Sequence, residues 1–309
     1  MKPVLLYGCQ IIFPHGELAK YFSKISPGTH TTETYFNKIS RDPYEKFHLK
    51  YLKWCLSVHY KASNIGCWGD TGRYPLFTDA LKLSTDYFFR AQIIRDTTLL
   101  HEAFVEQKTL NLEWYRNMNS ITNMYNSNVS KHASINIRKS MQTLFCTKWV
   151  EAKNSSPKLD FYNKLKSEFC FEKYLLLTNY KYRNALTRLR ISAHNLYVER
   201  GRYIRPPISR DNRVCIFCKN NLNILVVEDE LHAINDCPLY KNAHLILRQS
   251  SVNCTNILND IFVNQENNSQ SNLLAGKLAY TIQETHNAFS HYYTNSQHAH
   301  QNTGGCVVM

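Results

Sequence analysis

Three cysteines and one histidine in the C-terminal third of the chain have the spacing of a metal-binding group. Cys215 and Cys218 are separated by two residues, and His232 and Cys237, which follow thirteen residues later, are separated by four. A tight Cys-x2-Cys turn presents two sulfurs to one ion, and a His-x4-Cys pair on a short helix or turn completes a tetrahedron. The pattern therefore predicts a Zn2+ site made by Cys215, Cys218, His232 and Cys237.

A site with four protein ligands favours a structural role for the ion. No coordination position stays open for water, so the ion would stabilise a loop-rich segment rather than activate a nucleophile. The alternative is four unconnected residues, with Cys218 and Cys237 simply buried. The flanking residues favour the metal site, since Arg213 precedes it, Pro238 follows the last ligand and polar residues fill the intervening turn.

The acidic run Glu228-Asp229-Glu230 lies just before a predicted ligand and is interpreted as a solvated edge of the same module. Two-metal catalysis needs carboxylates that converge from separate strands, and a three-residue run does not supply them. The sequence also contains no glycine-rich phosphate loop and no nucleophile elbow. We therefore expect neither enzymatic activity nor a small-molecule substrate.

Positive charge is in excess and is concentrated in one region of the chain. The sequence has 37 Lys and Arg against 24 Asp and Glu, a net charge of +13. Between Lys131 and Arg213 there are eighteen Lys and Arg against six Asp and Glu, a net +12. Such a concentration favours a polyanionic partner, either nucleic acid or an anionic membrane face. The alternative is an ordinary solvated helical face.

The most informative basic stretch is predicted to be one helix over residues 179–202. Its leucines share one arc of a helical wheel, and three of its basic residues lie on an adjacent arc. Such a helix packs its leucines inward and holds guanidinium groups toward a phosphate backbone. The residues predicted to contact RNA or DNA are Lys181, Arg183, Arg188, Arg190, His194, Arg202 and Arg205. The rings predicted to stack on exposed bases are Tyr182, Tyr197, Tyr203 and Phe217.

Helical periodicity dominates the chain and predicts a mainly α fold. Gly and Pro are scarce, at 10 and 9 residues, which disfavours a fold built from tight hairpins. The Gly-rich stretch 63–73 is predicted to be a loop. The predicted segments are a helical region (1–153), a basic helical connector (154–213), a zinc-knuckle module (214–248), C-terminal helices (249–293) and a disordered tail (294–309).

Neither an export signal nor a run of the roughly 20 apolar residues that a membrane helix needs is recognisable. The apolar stretch 4–7 is interrupted at once by Gly8, Cys9 and Gln10. We therefore expect an intracellular protein of the nucleus or cytoplasm, not a secreted one. In such a reducing compartment the ten cysteines favour metal binding over disulfides.

The sequence ends in Cys306-Val307-Val308-Met309, which fits the prenylation pattern with a terminal Met that favours a farnesyl group. This ending suggests an alternative function, a membrane-tethered adaptor whose basic face meets anionic lipid. A single lipid gives only weak membrane association, and no polybasic run lies beside Cys306. A chance ending is the other interpretation.

Several stretches resemble the C-terminal region of LINE-type (non-LTR) retrotransposon polyproteins. They are ALTRLRISAHNL (185–196), ERGRY (199–203), the Cys-x2-Cys pair, VEDELH (227–232) and DCPLY (236–240), with PVLLYG (3–8) similar to the segment after the polymerase palm. The resemblance covers residues 3 to 248 closely and reaches about residue 293 more loosely.

The resemblance implies a thumb-like helical region over 1–153, a basic connector and a Cys-Cys-His-Cys zinc knuckle. In the parent proteins these parts would help to hold element RNA and target DNA during target-primed reverse transcription. The paired aspartates that mark the polymerase palm are absent from this sequence, so the resemblance does not imply polymerase activity. A remnant of such an element with no selected role is a further alternative.

Overall fold

The computed structural model describes residues 6–24, 29, 31–125, 132–249, 261–262 and 269–303. The prediction of a mainly α fold is confirmed, since sixteen α-helices account for most of these residues. Within the same residues the β pairing is limited to one isolated antiparallel bridge, between Val214 and Val227. The described helices also include none that is both long enough and apolar enough to cross a membrane.

The first nine helices precede residue 156. They are α1 (Cys9–Ile12), α2 (Glu17–Phe22), α3 (Thr32–Arg41), α4 (Pro43–Cys55), α5 (Asn64–Thr71), α6 (Phe77–Ile93), α7 (Leu99–Thr109), α8 (Glu113–Met124) and α9 (Ala133–Ser155). The remaining helices are α10 (Asp160–Leu165), α11 (Tyr180–Arg190), α12 (Tyr197–Arg200), α13 (Ile216–Leu222), α14 (Glu230–Asn235), α15 (Lys241–Gln249) and α16 (Ser269–Thr303).

The chain divides into two compact units, of which the first comprises residues 1–52 and 72–155. Its longer helices α6 and α9 pack against each other. Aromatic rings fill the interior, as in the stacked pair Phe22 and Phe77, whose centroids are 5.0 Å apart. The carboxylate of Glu45 is buried and accepts a hydrogen bond of 2.7 Å from the backbone N–H of Phe77. This bond satisfies one of the free donors at the start of α6.

The second unit comprises residues 53–71 together with 156–309. Its long helix α16 lies against both α11 and α15. Leucines of α11 and apolar side chains of α16 share one core with the three cysteines of the predicted metal site. The sequence prediction placed 53–71 in the region 1–153, whereas in the structure this stretch belongs to the second unit.

The Gly-rich stretch 63–73 was predicted to be a loop, but most of it is helix α5. Gly66 lies so close to Ile191 that an added Cβ would be 2.9 Å from that side chain. Glycine therefore permits a close helix contact here and does not break the helix. Gly72, with φ +56°, follows the last helical residue in the left-handed conformation that ends helices.

The single helix predicted over 179–202 is wrong, because α11 ends at Arg190 and the short α12 begins only at Tyr197. Ser192 has φ +49°, and the N–H of Ala193 donates to the carbonyl of Arg188 at 2.8 Å. This left-handed residue and six-to-one hydrogen bond form a Schellman motif, built here without the usual glycine. Residues from 193 onward therefore do not continue the apolar and basic faces that a single helix over 179–202 would have.

The disordered tail predicted for 294–309 also differs from the structure, in which α16 continues to Thr303. Asn, Gln, His and Ser are only moderately unfavourable in helices. Extending an established helix adds one hydrogen bond per residue without a new nucleation cost. The final stretch 304–309, including Cys306, lies outside the described residues.

Candidate metal centre

The structure brings the four predicted ligand residues together in one buried group. The Sγ of Cys237 lies 3.8 Å from that of Cys215 and 3.7 Å from that of Cys218. The Nε2 of His232 lies 3.4 Å from the Sγ of Cys218, and all four ligand atoms fall within 4.8 Å of one another. Such a group could hold a metal ion.

The first two ligands are placed by the β bridge and the start of α13. The N–H of Cys215 donates to Val226 O at 2.8 Å, beside the bridge between Val214 and Val227. Cys215 is also the N-cap of α13, so Cys218 follows in the first helical turn and points to the same side. The short helix ends at Leu222 and is followed by Asn223, whose left-handed conformation turns the chain back toward the bridge.

The other two ligands are placed by α14 and the turn after it. Asp229 caps α14, since its carboxylate accepts a 2.9 Å hydrogen bond from the N–H of His232. At the other end of the helix the N–H of Cys237 donates to His232 O at 2.9 Å. Pro238 then starts a 3-10 turn in which Tyr240 N–H donates to Cys237 O. Both ligands are thus held by backbone hydrogen bonds on a segment of six residues.

The spacing of the ligand atoms fits a tetrahedral ion. With metal–sulfur bonds of about 2.3 Å and metal–nitrogen bonds of about 2.0 Å, neighbouring sulfurs are roughly 3.8 Å apart and a sulfur and a nitrogen roughly 3.5 Å apart. The observed distances are 3.7 and 3.8 Å between sulfurs and 3.4 Å between sulfur and nitrogen. Three thiolates and one imidazole are the donor set of structural zinc sites.

The acid–base properties of the group show that the four residues interact strongly. A hydrogen bond from the thiol of Cys237 lowers the pKa of Cys215 to about 5. The same hydrogen bond, together with burial, raises the pKa of Cys237. Burial opposes protonation of His232, but the hydrogen bond and charge of Cys215 outweigh it and raise the pKa of His232. A bound divalent cation would remove this competition, since each ligand binds in its deprotonated form.

The interpretation of the acidic run 228–230 as a solvated edge is wrong. Glu228 and Glu230 are only 5% and 6% exposed. Glu230 accepts hydrogen bonds of 2.8 Å from the hydroxyl of Ser192 and from a ring nitrogen of His194. The run therefore anchors the start of α14, the helix that carries His232. Its sequence resembles a surface patch because the partners of Glu230 lie more than thirty residues away in the chain.

Glu228 connects the module to α12 and α16. Its carboxylate accepts a 2.8 Å hydrogen bond from the N–H of Tyr197 and one of 3.3 Å from the hydroxyl of Tyr240. A ring nitrogen of His286, on α16, lies 3.1 Å from the same hydroxyl and 3.4 Å from the carboxylate. No local sequence pattern marks Glu228 or His286 for this role.

Arg190 was predicted to contact nucleic acid, and the structure contradicts this assignment because the side chain is fully buried. Its guanidinium lies 3.3 Å from Asp70 and 3.0 Å from Glu172, and it sits 5.0 Å above the ring of Tyr174. Burial alone would lower the pKa of Arg190, but the two carboxylates outweigh it and raise the pKa. Arg190 is therefore a buried structural cation.

His194 was also predicted to contact nucleic acid, but its side chain is 7% exposed and pairs with Glu230. Arg183 and Arg188 are partly exposed, and both donate to backbone carbonyls, of Leu177 and Ser57 respectively. Their charge is still accessible in part. Lys181 and Arg205 are exposed, while Arg202 is 23% exposed and pairs with the buried Glu199.

The rings predicted to stack on bases are mostly engaged within the protein. Tyr182 packs against Tyr280 at 5.6 Å, and Phe217 packs against Phe289 at 5.8 Å. Tyr197 lies under the guanidinium of Arg200 at 5.6 Å. Tyr203 is 41% exposed and is the most accessible of the four rings.

Comparison of the chain with protein-family models, with curated proteins and with solved structures found no match. The eight cysteines in the described part of the chain form no disulfide with one another.

Proposed function

We propose that the chain is a zinc-stabilised nucleic-acid-binding protein, similar in role to the segment that follows the polymerase in LINE-type reverse transcriptases. The observation that carries the proposal is the closed Cys-Cys-His-Cys group, which follows the basic stretch 156–213 in the same unit. The four residues would hold the ion, whose chemistry is to cross-link α13 and α14. The site leaves no ligand position for a reacting water.

The charge that remains accessible on the basic stretch 156–213 of the second unit supports a polyanionic partner. Residues 156–213 contain thirteen Lys and Arg, of which Lys166, Arg190 and Arg213 are buried, so ten are partly or fully exposed. The same stretch contains five Asp and Glu, of which Glu199 is buried. The accessible excess is therefore +6 (ten minus four), enough to neutralise several phosphates at once.

Binding of fluorescently labelled single-stranded RNA, single-stranded DNA and duplex DNA, measured at graded salt, tests the proposal. Because each neutralised phosphate releases counterions, we expect the logarithm of affinity to fall linearly with the logarithm of salt concentration, with a slope of several units. Binding that does not depend on salt, or no binding to any of the three, would contradict the proposal.

The same preparation tests the role of zinc. Metal content measured by atomic emission should be about one ion per chain, and a strong chelator should weaken nucleic-acid binding because α13 and α14 lose their cross-link. Addition of Zn2+ after removal of the chelator should restore both the metal content and the nucleic-acid binding. If the metal-free protein binds nucleic acid as tightly as the zinc-loaded protein, zinc is not needed for binding and that part of the proposal is wrong.

A further inference from the structure

A cluster of cations and tyrosine rings on the second unit combines two residues that the sequence selected, Arg202 and Tyr203, with three that it did not. We call it the cation–aromatic patch and define it as Tyr60, Lys61, Lys158, Arg202 and Tyr203. The Nζ of Lys61 lies 4.4 Å from the ring centre of Tyr203 and 5.7 Å from that of Tyr60. Lys158 is 5.5 Å from the ring centre of Tyr203 and donates to its hydroxyl at 2.8 Å.

One buried carboxylate positions three members of the patch. Glu199 is 2% exposed and accepts a 2.8 Å hydrogen bond from the hydroxyl of Tyr203. Lys158 forms an ion pair with one of its oxygens, and Arg202 lies 2.9 Å from the other. Lys158 also donates to the carbonyl of Lys61 at 3.3 Å, which ties the stretch 53–71 to the same site. These hydrogen bonds and ion pairs hold the side chains of the patch in one defined arrangement.

The patch carries an excess of positive charge. Glu199 is its carboxylate, while Lys61, Lys158 and Arg202 are its cations, so the excess is +2 (three minus one). Lys53 lies beside it and donates to the carbonyl of Tyr60 at 2.6 Å. Burial and the neighbouring charge of Lys158 together lower the pKa of His59, as expected next to a concentration of cations.

Tyr60 gives this basic site an accessible aromatic surface. The residue is 79% exposed, and its ring contacts that of His59 edge-on with ring centres 6.4 Å apart. A ring held at the surface beside Lys61 offers a flat apolar face next to a positive charge. This combination matches a nucleotide in a single strand, whose unstacked base and phosphate are both available.

We propose that the cation–aromatic patch binds single-stranded nucleic acid, with a base stacked on Tyr60 and phosphates beside Lys61 and Arg202. The inference rests on the proposed function and assigns it a location. Duplexes fit less well because their bases are already stacked and do not reach an exposed ring. An anionic lipid surface fits less well because the chain neighbours of Tyr60 are His59 and Lys61, which supply no apolar area to insert.

The test compares the double variant Tyr60→Ala/Lys61→Gln with Tyr292→Ala/Lys277→Gln. The control removes one ring that is 73% exposed and one exposed lysine from α16 of the same unit, so it makes the same chemical change elsewhere. We expect the patch variant to bind a single-stranded oligonucleotide at least about fivefold more weakly than wild type. Its salt slope should shrink by about 0.7 for each lost phosphate contact. The control should keep wild-type affinity.

The single variant Tyr60→Phe keeps the ring and should retain most of the affinity that Tyr60→Ala loses. Circular dichroism and metal content should be unchanged in all variants, because Tyr60 and Lys61 are exposed. If wild type binds single strands and the patch variant binds them equally well, the location is wrong while the proposed function stands. If wild type binds no nucleic acid, both fail. Loss of binding to anionic vesicles, with binding to RNA unchanged, would make the patch a lipid-binding surface and overturn the inference.

Discussion

Cys237 closes the Cys-Cys-His-Cys group, since its sulfur lies within 3.8 Å of those of both Cys215 and Cys218. The spacing of the ligands predicted their convergence because two short backbone segments determine it. By contrast, nothing in the local sequence distinguishes Arg190 from Lys181, although one is fully buried and the other exposed. The burial of a charged side chain depends on which distant segments cover it.

We predict that Cys237→Ser lowers bound metal well below the wild-type amount and reduces the free energy of unfolding of the second unit by several kcal/mol. A serine hydroxyl is a poor zinc ligand, and loss of a structural metal is among the most damaging single changes. Metal analysis and chemical denaturation measure the two effects. Cys55→Ser, at an exposed cysteine outside the group, is the matched control. Equal metal content in the two variants would contradict the assignment.

Short helices and their ends position the four side chains of the Cys-Cys-His-Cys group. The residues that cap these helices therefore affect the geometry of the group. Asp229 accepts a hydrogen bond from the N–H of His232 at the start of α14, which is only six residues long. A helix this short has little stability of its own. The position of His232 therefore depends on its cap.

We predict that Asp229→Ala destabilises the second unit by about 1 kcal/mol and weakens metal affinity, because α14 loses its cap. Asp229→Asn should behave like wild type, since asparagine caps helices equally well. The ion pair of Asp229 with Arg210, which is 44% exposed, contributes little by comparison. Competition with a coloured zinc chelator measures the affinity. Equal loss in both variants would show that charge, and not capping, matters at this position.

Helix α5 shows how a contact between elements reverses a local preference. In a helix interior, glycine is ordinarily about 1 kcal/mol less favourable than alanine. At Gly66 an added Cβ would lie 2.9 Å from the Cβ and Cγ2 of Ile191. The Gly-rich composition therefore predicted a loop where the structure has a tightly packed helix.

We predict that Gly66→Ala destabilises the protein by about 1–3 kcal/mol, because overpacking outweighs the better helix propensity. Thermal or urea unfolding measures the change. In the background of Ile191→Ala, which removes Cγ2, the same substitution should cost less, and the difference between the two values is the coupling of the two side chains. A stabilising effect of Gly66→Ala in the wild-type background would contradict the contact.

At the scale of the whole molecule, a buried ion network joins the stretch 53–71 to residues far along the chain. Arg190 pairs with Asp70 and Glu172, and Glu172 also pairs with Lys166, so two cations face two carboxylates. The hydroxyl of Tyr174 donates to Asp70 at 2.6 Å. The charges balance, which makes the burial of Asp70, Lys166 and Arg190 tolerable.

We predict that Arg190→Leu destabilises the second unit by about 3–5 kcal/mol, because Asp70 then loses its buried counter-charge. Lys82→Gln, which breaks the partly exposed pair with Asp86, should cost less than about 1 kcal/mol. Unfolding followed by circular dichroism measures both values. A small effect of Arg190→Leu would contradict the prediction, because water or a rearranged side chain would then be neutralising or solvating the carboxylate of Asp70. Binding of nucleic acid by folded Arg190→Leu should be unchanged, since the side chain is not accessible.

The sequence by itself determined the features that depend on residues close together in the chain. The helical periodicity predicted the mainly α fold, and the two spaced pairs identified the ligand group, because helix formation and the Cys-x2-Cys turn are local. The tertiary structure alone decided which charges are buried, how Glu228 and Glu230 hold the start of α14, and where Lys61 meets Tyr203. These arrangements depend on contacts across thirty to more than a hundred residues, and sequence spacing carries no information about contacts at that range.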